Sequence, residues 1–146
     1  MKIEIRPGAY DPWNEVADFQ VASDRLMPGS YGACAVFVGT MRDFNEGDEV
    51  NSMVLEHYPG MTENQLTELA DTTTSKYSLL DMLVLHRVGE IHPNDPIVLV
   101  AAWSVHRAAA FDACRDMMES LKSKATFWKK EKLTDRDRWV EKNTPG

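Results

Sequence analysis

The chain has 146 residues, of which 43% are hydrophobic and 27% are charged, and its formal net charge at pH 7 is −7. This length and composition predict one compact domain spanning residues 1–146 and exclude wholesale disorder. Such an acidic chain is a poor candidate for a general DNA or RNA binder, because neutralising phosphates requires a basic surface.

Signals for a membrane or for secretion are not expected in this sequence. The N-terminus lacks the apolar stretch of a secretory signal, and no window approaches the roughly 18 to 20 apolar residues of a membrane span. The two scattered cysteines, Cys34 and Cys114, fit neither a disulfide framework nor a zinc cluster, and we interpret both as small core residues. We therefore expect a soluble protein of the reducing cytoplasm.

Strands and helices are predicted in similar proportion, from apolar alternation, continuous apolar runs and helical spacing. In chain order the predicted elements are a strand at 2–6, a helix at 12–22, a strand at 31–41, a loop at 42–49, a strand at 50–58, a helix at 62–77, a strand at 81–88, a turn at 89–96, a strand at 97–105, a helix to about 124, an extended segment at 126–133 and a short strand at 136–142. This mixture predicts an α+β domain with a mixed or antiparallel sheet and flanking helices, similar to an α/β hammerhead.

Two of the helices carry recognisable start signals. Asp11 is a predicted N-cap with Pro12 as the first helical residue, and Ser104 is predicted to cap the third helix. Apolar residues at three- and four-residue spacing predict a buried stripe on that third helix. The stripe consists of Phe111, Cys114, Met118, Leu121 and Ala125.

Basic residues at element boundaries are the first candidates for a functional site. Arg42 follows a buried strand and opens a polar loop, and its planar guanidinium suits phosphate or carboxylate. His106 and Arg107 begin the third helix, where a basic pair is unfavourable unless an anion binds at the helix N-terminus. The alternative for Arg42 is a surface arginine paired with a nearby acid, and for the pair it is an exposed capping turn.

The C-terminal segment contains further candidates. Residues 122–142 carry a local charge of +4, which leaves −11 on the rest of the chain and indicates either a focused anion site or a solvated basic face. Lys122, at the edge of the buried stripe, could direct its ammonium into a cleft or merely keep its stem against the core. Phe127 and Trp128 precede Lys129, which is on the same strand face as Phe127; the aromatics are either a stacking wall or core residues.

Several kinds of site are absent from the sequence. The histidines and cysteines do not have metal-ligand spacing, so no metal is expected. There is no P-loop, no dinucleotide-binding glycine motif and no nucleophile elbow, and no cofactor is expected.

Taken in order, seven short motifs between Tyr31 and Glu141 resemble the catalytic, or large, subunit of molybdopterin synthase. They are Gly39-x-x-Arg42-x-x-Asn45-x-Gly47, Leu55-Glu-His-Tyr-Pro-Gly-Met61, His86-Arg-Val-Gly-Glu90 with Pro93-x-Asp95, Ser104-x-His-Arg107, Leu121-Lys122, Phe127-Trp-Lys-Lys-Glu131 and Asp137-Arg-Trp-Val-Glu141. Each motif alone is weak, but the ordered set is specific.

The resemblance implies an enzyme that adds two sulfurs to cyclic pyranopterin monophosphate, making the dithiolene of molybdopterin. It implies that the sulfur arrives as a thiocarboxylate on the Gly-Gly C-terminus of a small ubiquitin-like subunit, whose tail enters a pocket of the large subunit. Two large subunits would form a homodimer at the centre of a heterotetramer. An activated sulfur donor explains why no catalytic cysteine is required.

The resemblance also implies roles for individual residues. By motif, Lys122 and Lys129 are the expected catalytic lysines, with Lys122 nearest the terminal glycine of the partner. The expected substrate-binding residues are Arg42, His106, Arg107 and Lys142. Phe37 and Met118 are expected to line the pocket for the tail.

Two other functions remain open from the sequence. A non-catalytic binding module for a ubiquitin-like partner would keep the tail pocket, but it would not need Lys122 and Lys129 beside an anion site. A lysine enzyme would instead form a Schiff base between Lys122 and a carbonyl substrate, which borohydride would trap.

Overall fold

Nine strands and three helices are found in the described part of the chain. A computed structural model describes residues 1–45, 47–134 and 136–140. In chain order the elements are β1 (Lys2–Arg6), α1 (Pro12–Ala22), β2 (Ala33–Thr40), β3 (Phe44–Asn45), β4 (Asp48–His57), α2 (Met61–Tyr77), β5 (Asp81–Arg87), β6 (Gly89–Ile91), β7 (Pro96–Ser104), α3 (Arg107–Lys124), β8 (Phe127–Leu133) and β9 (Asp137–Trp139).

The strands form two sheets. The larger sheet has the order β1-β5-β7-β2, with β1 parallel to β5 and the other neighbours antiparallel. The smaller sheet has the order β3-β4-β8-β9, and β6 also pairs with β4. Together with three helices this is an α+β fold with mixed and antiparallel sheets, which confirms the predicted fold class.

The central strands of the larger sheet are buried on both faces, because helices cover both sides. Residues of α2 and α3 pack on one face, around Leu66 and Met117, while Phe19 of α1 packs against Trp103 on the other. The Trp103 indole donates to Gln20 Oε1 at 3.0 Å, so its polar atom is satisfied inside this layer. Among the described residues, no helix is both long and apolar enough to cross a bilayer.

The end of β7 determines where the third helix runs. Because β2 and β5 both run antiparallel to β7, Ala33 and Ser104 lie at one end of the sheet, while Thr40 and His86 lie at the other. The helix α3 starts beside Ser104 and returns across the sheet. Its C-terminal end therefore lies at the end of the sheet that contains Thr40 and His86.

Two of the predicted loops contain strands. Part of the segment 42–49 forms β3 and the beginning of β4, which pair as a hairpin, and Gly47 has a φ of 81° there. Part of the predicted turn at 89–96 forms β6, which pairs with β4. Both strands are short and depend on pairing with β4, so local apolar alternation does not reveal them.

Two side-chain predictions at α3 are also wrong, and of the two alternatives for Trp128 in β8 the core position is excluded. The N-cap of α3 is His106 rather than Ser104, whose hydroxyl instead accepts from the His106 N–H at 3.3 Å. Phe111 is 67% exposed, because the buried face of α3 is turned toward alanines and Met117. Trp128 is 44% exposed, since it lies on the outer face of the small sheet.

The two cysteines also differ from each other. Cys114 is buried as predicted, but Cys34 is exposed because it lies on the edge strand β2.

Candidate active site

Two lysines meet between the C-terminal end of α3 and the strand β8. The Lys122 side chain is hydrogen-bonded to that of Lys129. Burial, followed by the charge of Lys129 and this hydrogen bond, lowers the pKa of Lys122 from 10.5 to about 8. A pKa of about 8 lies close enough to neutral for Lys122 to give a proton in its charged form and to accept one in its neutral form.

A buried histidine forms the wall beside the lysines. His86 stacks on Phe127 with ring centroids 3.8 Å apart. Its Nδ1 lies 2.8 Å from the Arg87 carbonyl oxygen, so in the neutral ring Nδ1 carries the proton. Desolvation lowers the pKa of His86 to about 3, with a smaller contribution from the nearby lysine charges. His86 is thus an uncharged acceptor at neutral pH, and it adds no positive charge to the site.

A second histidine lies on the same face of the small sheet. His57 faces Phe127 across the β4–β8 ladder and is diagonal to Lys129, which faces Leu55. Diagonal neighbours on one sheet face lie about 7 to 8 Å apart, within reach of long side chains. His57 Nε2 is 3.5 Å from Glu63 Oε1 in the first turn of α2. The lysine pair therefore has an imidazole–carboxylate pair as a neighbour.

His57 and Glu63 open onto a cleft. The cleft has a volume of about 350 Å³ and lies beside the edge strand β1. Its other lining residues are Ile3, Glu4, Ile5, Pro7 and Val88.

A buried ion pair lies on the inner face of β8, beyond Lys129. Glu131 is buried two residues after Lys129, and its Oε1 accepts from Arg138 Nε in β9 at 2.8 Å. Because breaking a buried pair leaves a charge uncompensated, this contact holds β9 against β8 and supports the strand that carries Lys129.

The boundary between β2 and α3, which pack against each other, leads toward the lysines. The ring of the partly exposed Phe37 lies over Gly39, where a Cβ atom would meet it at 3.2 Å. Cys114 Sγ lies 3.7 Å from the Val100 carbonyl oxygen, and Val100 pairs with Phe37. Met118 follows Cys114 by one helical turn, and Lys122 by a second. Phe37 and Met118 thus lie along one path toward the lysine pair.

Arg42 lies at the same sheet end as the lysine pair. Arg42 is exposed and follows Thr40, the last residue of β2. Thr40 pairs with Pro96, and His86 of β5 lies at the same end of the sheet. Its predicted position near the lysines is therefore consistent with the topology.

His106 and Arg107 lie at the opposite end of the sheet. Both are exposed at the N-terminus of α3, beside the pairing of Ser104 with Ala33. The helical segment from His106 to Lys122 is about 24 Å long. A single chain therefore does not bring these two basic residues to the lysines.

Some candidates lie outside these findings. Lys142 falls outside the described residues. Within the described part of the chain no cluster of His, Cys, Asp or Glu could hold a metal ion.

His57, Glu63 and His86 were not singled out for a role by sequence reasoning, although two of them belong to the recognised motifs. The available signal was the i, i+2 spacing of His57 from the buried Leu55, which predicts an inward-facing histidine.

Comparisons with known proteins identify the family of this chain. The family model described as MoaE protein matches residues 13–124. A molybdopterin synthase catalytic subunit of Pseudomonas aeruginosa is 45% identical over 141 residues, covering 97% of this chain and 91% of the relative. The solved molybdopterin biosynthesis MoaE protein from Burkholderia ambifaria has a TM-score of 0.79 at 42% identity, covering 95% of this chain and 88% of that chain.

A more distant structure shares the fold. A chain in the Helicobacter pylori protein–protein complex of subunits 1 and 2 of molybdopterin-converting factor has a TM-score of 0.77 at 16% identity, covering 95% of this chain and 90% of that chain. The family model spans most of the chain, and the Pseudomonas relative is matched over nearly its full length. The resemblance drawn from the seven motifs is therefore confirmed, and this chain belongs to the MoaE family of molybdopterin synthase catalytic subunits, enzymes of molybdenum cofactor biosynthesis.

Proposed function

We propose that this chain transfers sulfur to cyclic pyranopterin monophosphate and forms the dithiolene of molybdopterin, with the C-terminal thiocarboxylate of a small ubiquitin-like subunit as donor. The observation that carries the proposal is the hydrogen-bonded pair of Lys122 and Lys129 between the C-terminal end of α3 and the strand β8. Burial raises the pKa of the Cys114 thiol to about 11, which makes it a poor nucleophile and fits a reaction whose sulfur is delivered by a partner.

The lysine pair supplies the proton transfers of this reaction. The neutral amine accepts a proton from the water that releases the acyl group of the tail, and the ammonium stabilises negative charge on that acyl group. Lys122 is the more deeply placed amine because it lies on α3 beside the wall formed by His86. We assign it to the position nearest the terminal glycine.

The boundary between β2 and α3 is the proposed pocket for the tail. Phe37 and Met118 offer an aromatic and a flexible apolar surface, which suit a narrow Gly-Gly segment. This boundary leads toward Lys122, so a tail lying along it would end at the lysine pair.

The substrate phosphate requires basic residues from two copies of the chain. Arg42 lies at the lysine end of the sheet, whereas His106 and Arg107 are separated from Lys122 by about 24 Å of helix. If all three contact one substrate, His106 and Arg107 belong to a second chain. Exposed Val105 and Phe111 flank them, and such apolar residues favour a protein contact there. Lys142 remains a proposed fourth contact.

A homodimer of this chain would bind one small subunit at each tail pocket, giving a heterotetramer. The Helicobacter pylori complex contains subunits 1 and 2 of molybdopterin-converting factor, which supports a small-subunit partner. We propose the reducing cytoplasm as the compartment, supported by Cys34 and Cys114 both being free thiols.

Reconstitution tests the proposed function. The purified chain is mixed with a thiocarboxylated ubiquitin-like subunit and cyclic pyranopterin monophosphate, and dithiolene formation is followed for wild type and Lys122→Ala. We expect product from wild type and a loss of at least about 100-fold in the variant. A wild type that binds its partner but makes no product would contradict the assignment and favour a binding module.

A trapping experiment separates sulfur transfer from Schiff-base chemistry. Borohydride is added during turnover, and the intact mass of the chain is measured. We expect no substrate adduct on Lys122, because the amine is assigned to proton transfer. A reduced adduct on Lys122 would instead assign it a covalent role.

A further inference from the structure

The pair of His57 and Glu63 has no role in the mechanism above, although it adjoins the lysines. We propose that His57, whose ring lies 3.5 Å from Glu63, carries protons between the lysine pair and solvent through the cleft beside β1. This inference rests on the proposed function, because that function assigns the proton transfers to the lysines. His57 acts through the lysines and is not expected to touch the substrate.

The first support is the need for a second route to solvent. The boundary between β2 and α3 is the proposed place of the partner tail, so it is occupied while the reaction runs. A lysine that has accepted a proton must lose it before the next turnover. The cleft of about 350 Å³ lies on the other side of the lysines, at the opposite edge strand of the large sheet.

The second support is the position of His57 between the cleft and the lysine pair. Its side chain is 21% exposed and lines the cleft, while its backbone faces Phe127 and lies diagonal to Lys129. The distance expected for such a diagonal pair is about 7 to 8 Å between Cα atoms, which a lysine side chain or one water spans.

Charged and titratable groups face His57 from several elements. They are Glu63 from α2, Glu4 from β1, His86 from β5, Lys122 from α3 and Lys129 from β8. Glu63 and Glu4 lie on the cleft side, where Glu4 is itself paired with Arg6 and Lys2, and the two lysines lie on the inner side. Glu63 Oε2 also accepts from the Gly60 N–H at 2.9 Å, which fixes the carboxylate in place.

His86, the other histidine near the lysines, is unsuited to carrying protons to solvent. His86 is fully enclosed, with its Nδ1 hydrogen-bonded to a backbone carbonyl, so an added proton would reside in a desolvated ring. His57 differs because one side of its ring meets solvent and a carboxylate.

The proposed step moves a single proton and changes no other bond. A lysine ammonium gives its proton to one ring nitrogen of His57, directly or through a water. The resulting imidazolium, paired with Glu63, gives the proton on its other nitrogen to water in the cleft. The lysine ends neutral, His57 ends neutral, and the proton is in solvent.

The test compares His57→Gln with His92→Gln in the full chain bound to its small subunit. His92 is a matched control, because its Nε2 is also close to a glutamate, 3.3 Å from Glu90 Oε1, but its side chain is exposed and does not line the cleft. We expect His57→Gln to lower the multiple-turnover rate about 10-fold and to make it depend on buffer concentration, while His92→Gln stays within about twofold. The partner affinity should not change in either variant.

Chemical rescue separates proton transfer from a structural role. The rate of His57→Ala should rise several-fold with added imidazole, and that of Lys122→Ala should not. A His57→Gln enzyme with wild-type rates and no buffer dependence, or a folded His57→Ala enzyme that imidazole does not rescue, would overturn the inference. A wild type without activity would overturn the proposed function itself.

Discussion

At the scale of single residues, Lys122 shows how a functional group opposes stability. Its pKa is lower in the folded chain than in the unfolded one, so between about pH 8 and 10.5 the unfolded chain binds more protons. Stability therefore rises with pH across that window, and below pH 8 the charged, desolvated amine costs its full penalty. Burial and the charge of Lys129 therefore have two effects. They lower the stability of the fold, and by lowering the pKa of Lys122 they make its amine a base that works near neutral pH.

Replacing Lys122 by methionine should therefore stabilise the protein while abolishing its activity. Methionine keeps the apolar stem but removes the charge, and we expect a gain of about 1 to 3 kcal/mol at about pH 7. The gain should shrink as the pH approaches about 10. Urea unfolding at both pH values measures it. Lys124→Met, at an exposed position two residues later, is the control and should change little. A Lys122→Met protein less stable than wild type at pH 7 would contradict this account.

A second residue-scale prediction concerns the ion pair on β8. Replacing the buried Glu131 carboxylate removes the charge-assisted hydrogen bond that it accepts from Arg138, and we expect Glu131→Gln to lower the free energy of unfolding by about 1.5 to 3 kcal/mol. The control, Asp137→Asn, breaks the half-exposed contact with Lys130 at 3.8 Å and should cost about 0 to 1 kcal/mol. Equal losses in the two variants, measured by denaturant titration, would mean that burial does not decide the cost.

At the scale of elements, the entry into α3 depends on a close backbone approach. Gly32, just before β2, lies so near the Val105 carbonyl oxygen that a Cβ atom there would be 2.4 Å from it. The two segments are also joined by a hydrogen bond from the Gly32 N–H to the Ser104 carbonyl oxygen at 3.0 Å. The edge strand thus holds the turn that presents His106 and Arg107.

Gly32→Ala should displace that turn. We expect it to cost about 1 to 3 kcal/mol in unfolding free energy and to weaken substrate binding more than partner binding. Gly8→Ala is the matched control, because a Cβ atom at Gly8 meets nothing within 4 Å. Thermal unfolding and substrate titration measure both effects. If Gly32→Ala behaves like Gly8→Ala, the close approach does not position the helix start.

At the scale of the whole molecule, the length of α3 separates the proposed site into two halves. Lys122 and Arg42 are at one end of the large sheet, and Arg107 is at the other. Two chains related by a two-fold axis can place the N-terminus of one α3 beside the lysine end of the other, and each such dimer would then contain two complete sites.

Mixing two inactive variants tests this arrangement. Lys122→Ala and Arg107→Ala are co-refolded in equal amounts, so about half of the dimers are mixed, and each mixed dimer has one intact site. We expect recovery of about one quarter of the wild-type activity. Each variant refolded alone is the control and should stay inactive. No recovery, with mixed dimers shown by mass, would place all site residues within one chain.

Much of this protein was predictable from its sequence. The helices at 12–22 and 61–77, the apolar strands and the α+β class follow from local periodicity and caps, since side-chain spacing alone determines which face is apolar. The ordered motifs also identified the family, and they pointed to Lys122 and Lys129 as one site.

The tertiary structure alone decided how these residues are combined. Strand pairing is non-local, so the sequence does not reveal that His86 and His57 adjoin the lysines, nor that β3 and β6 form by pairing with β4. Burial depends on which helix face meets the sheet, which is why Phe111 is exposed despite its spacing. The distance from His106 to Lys122 follows from α3 spanning the sheet, so the proposed phosphate site would need a second copy of the chain to bring His106 and Arg107 to the lysines.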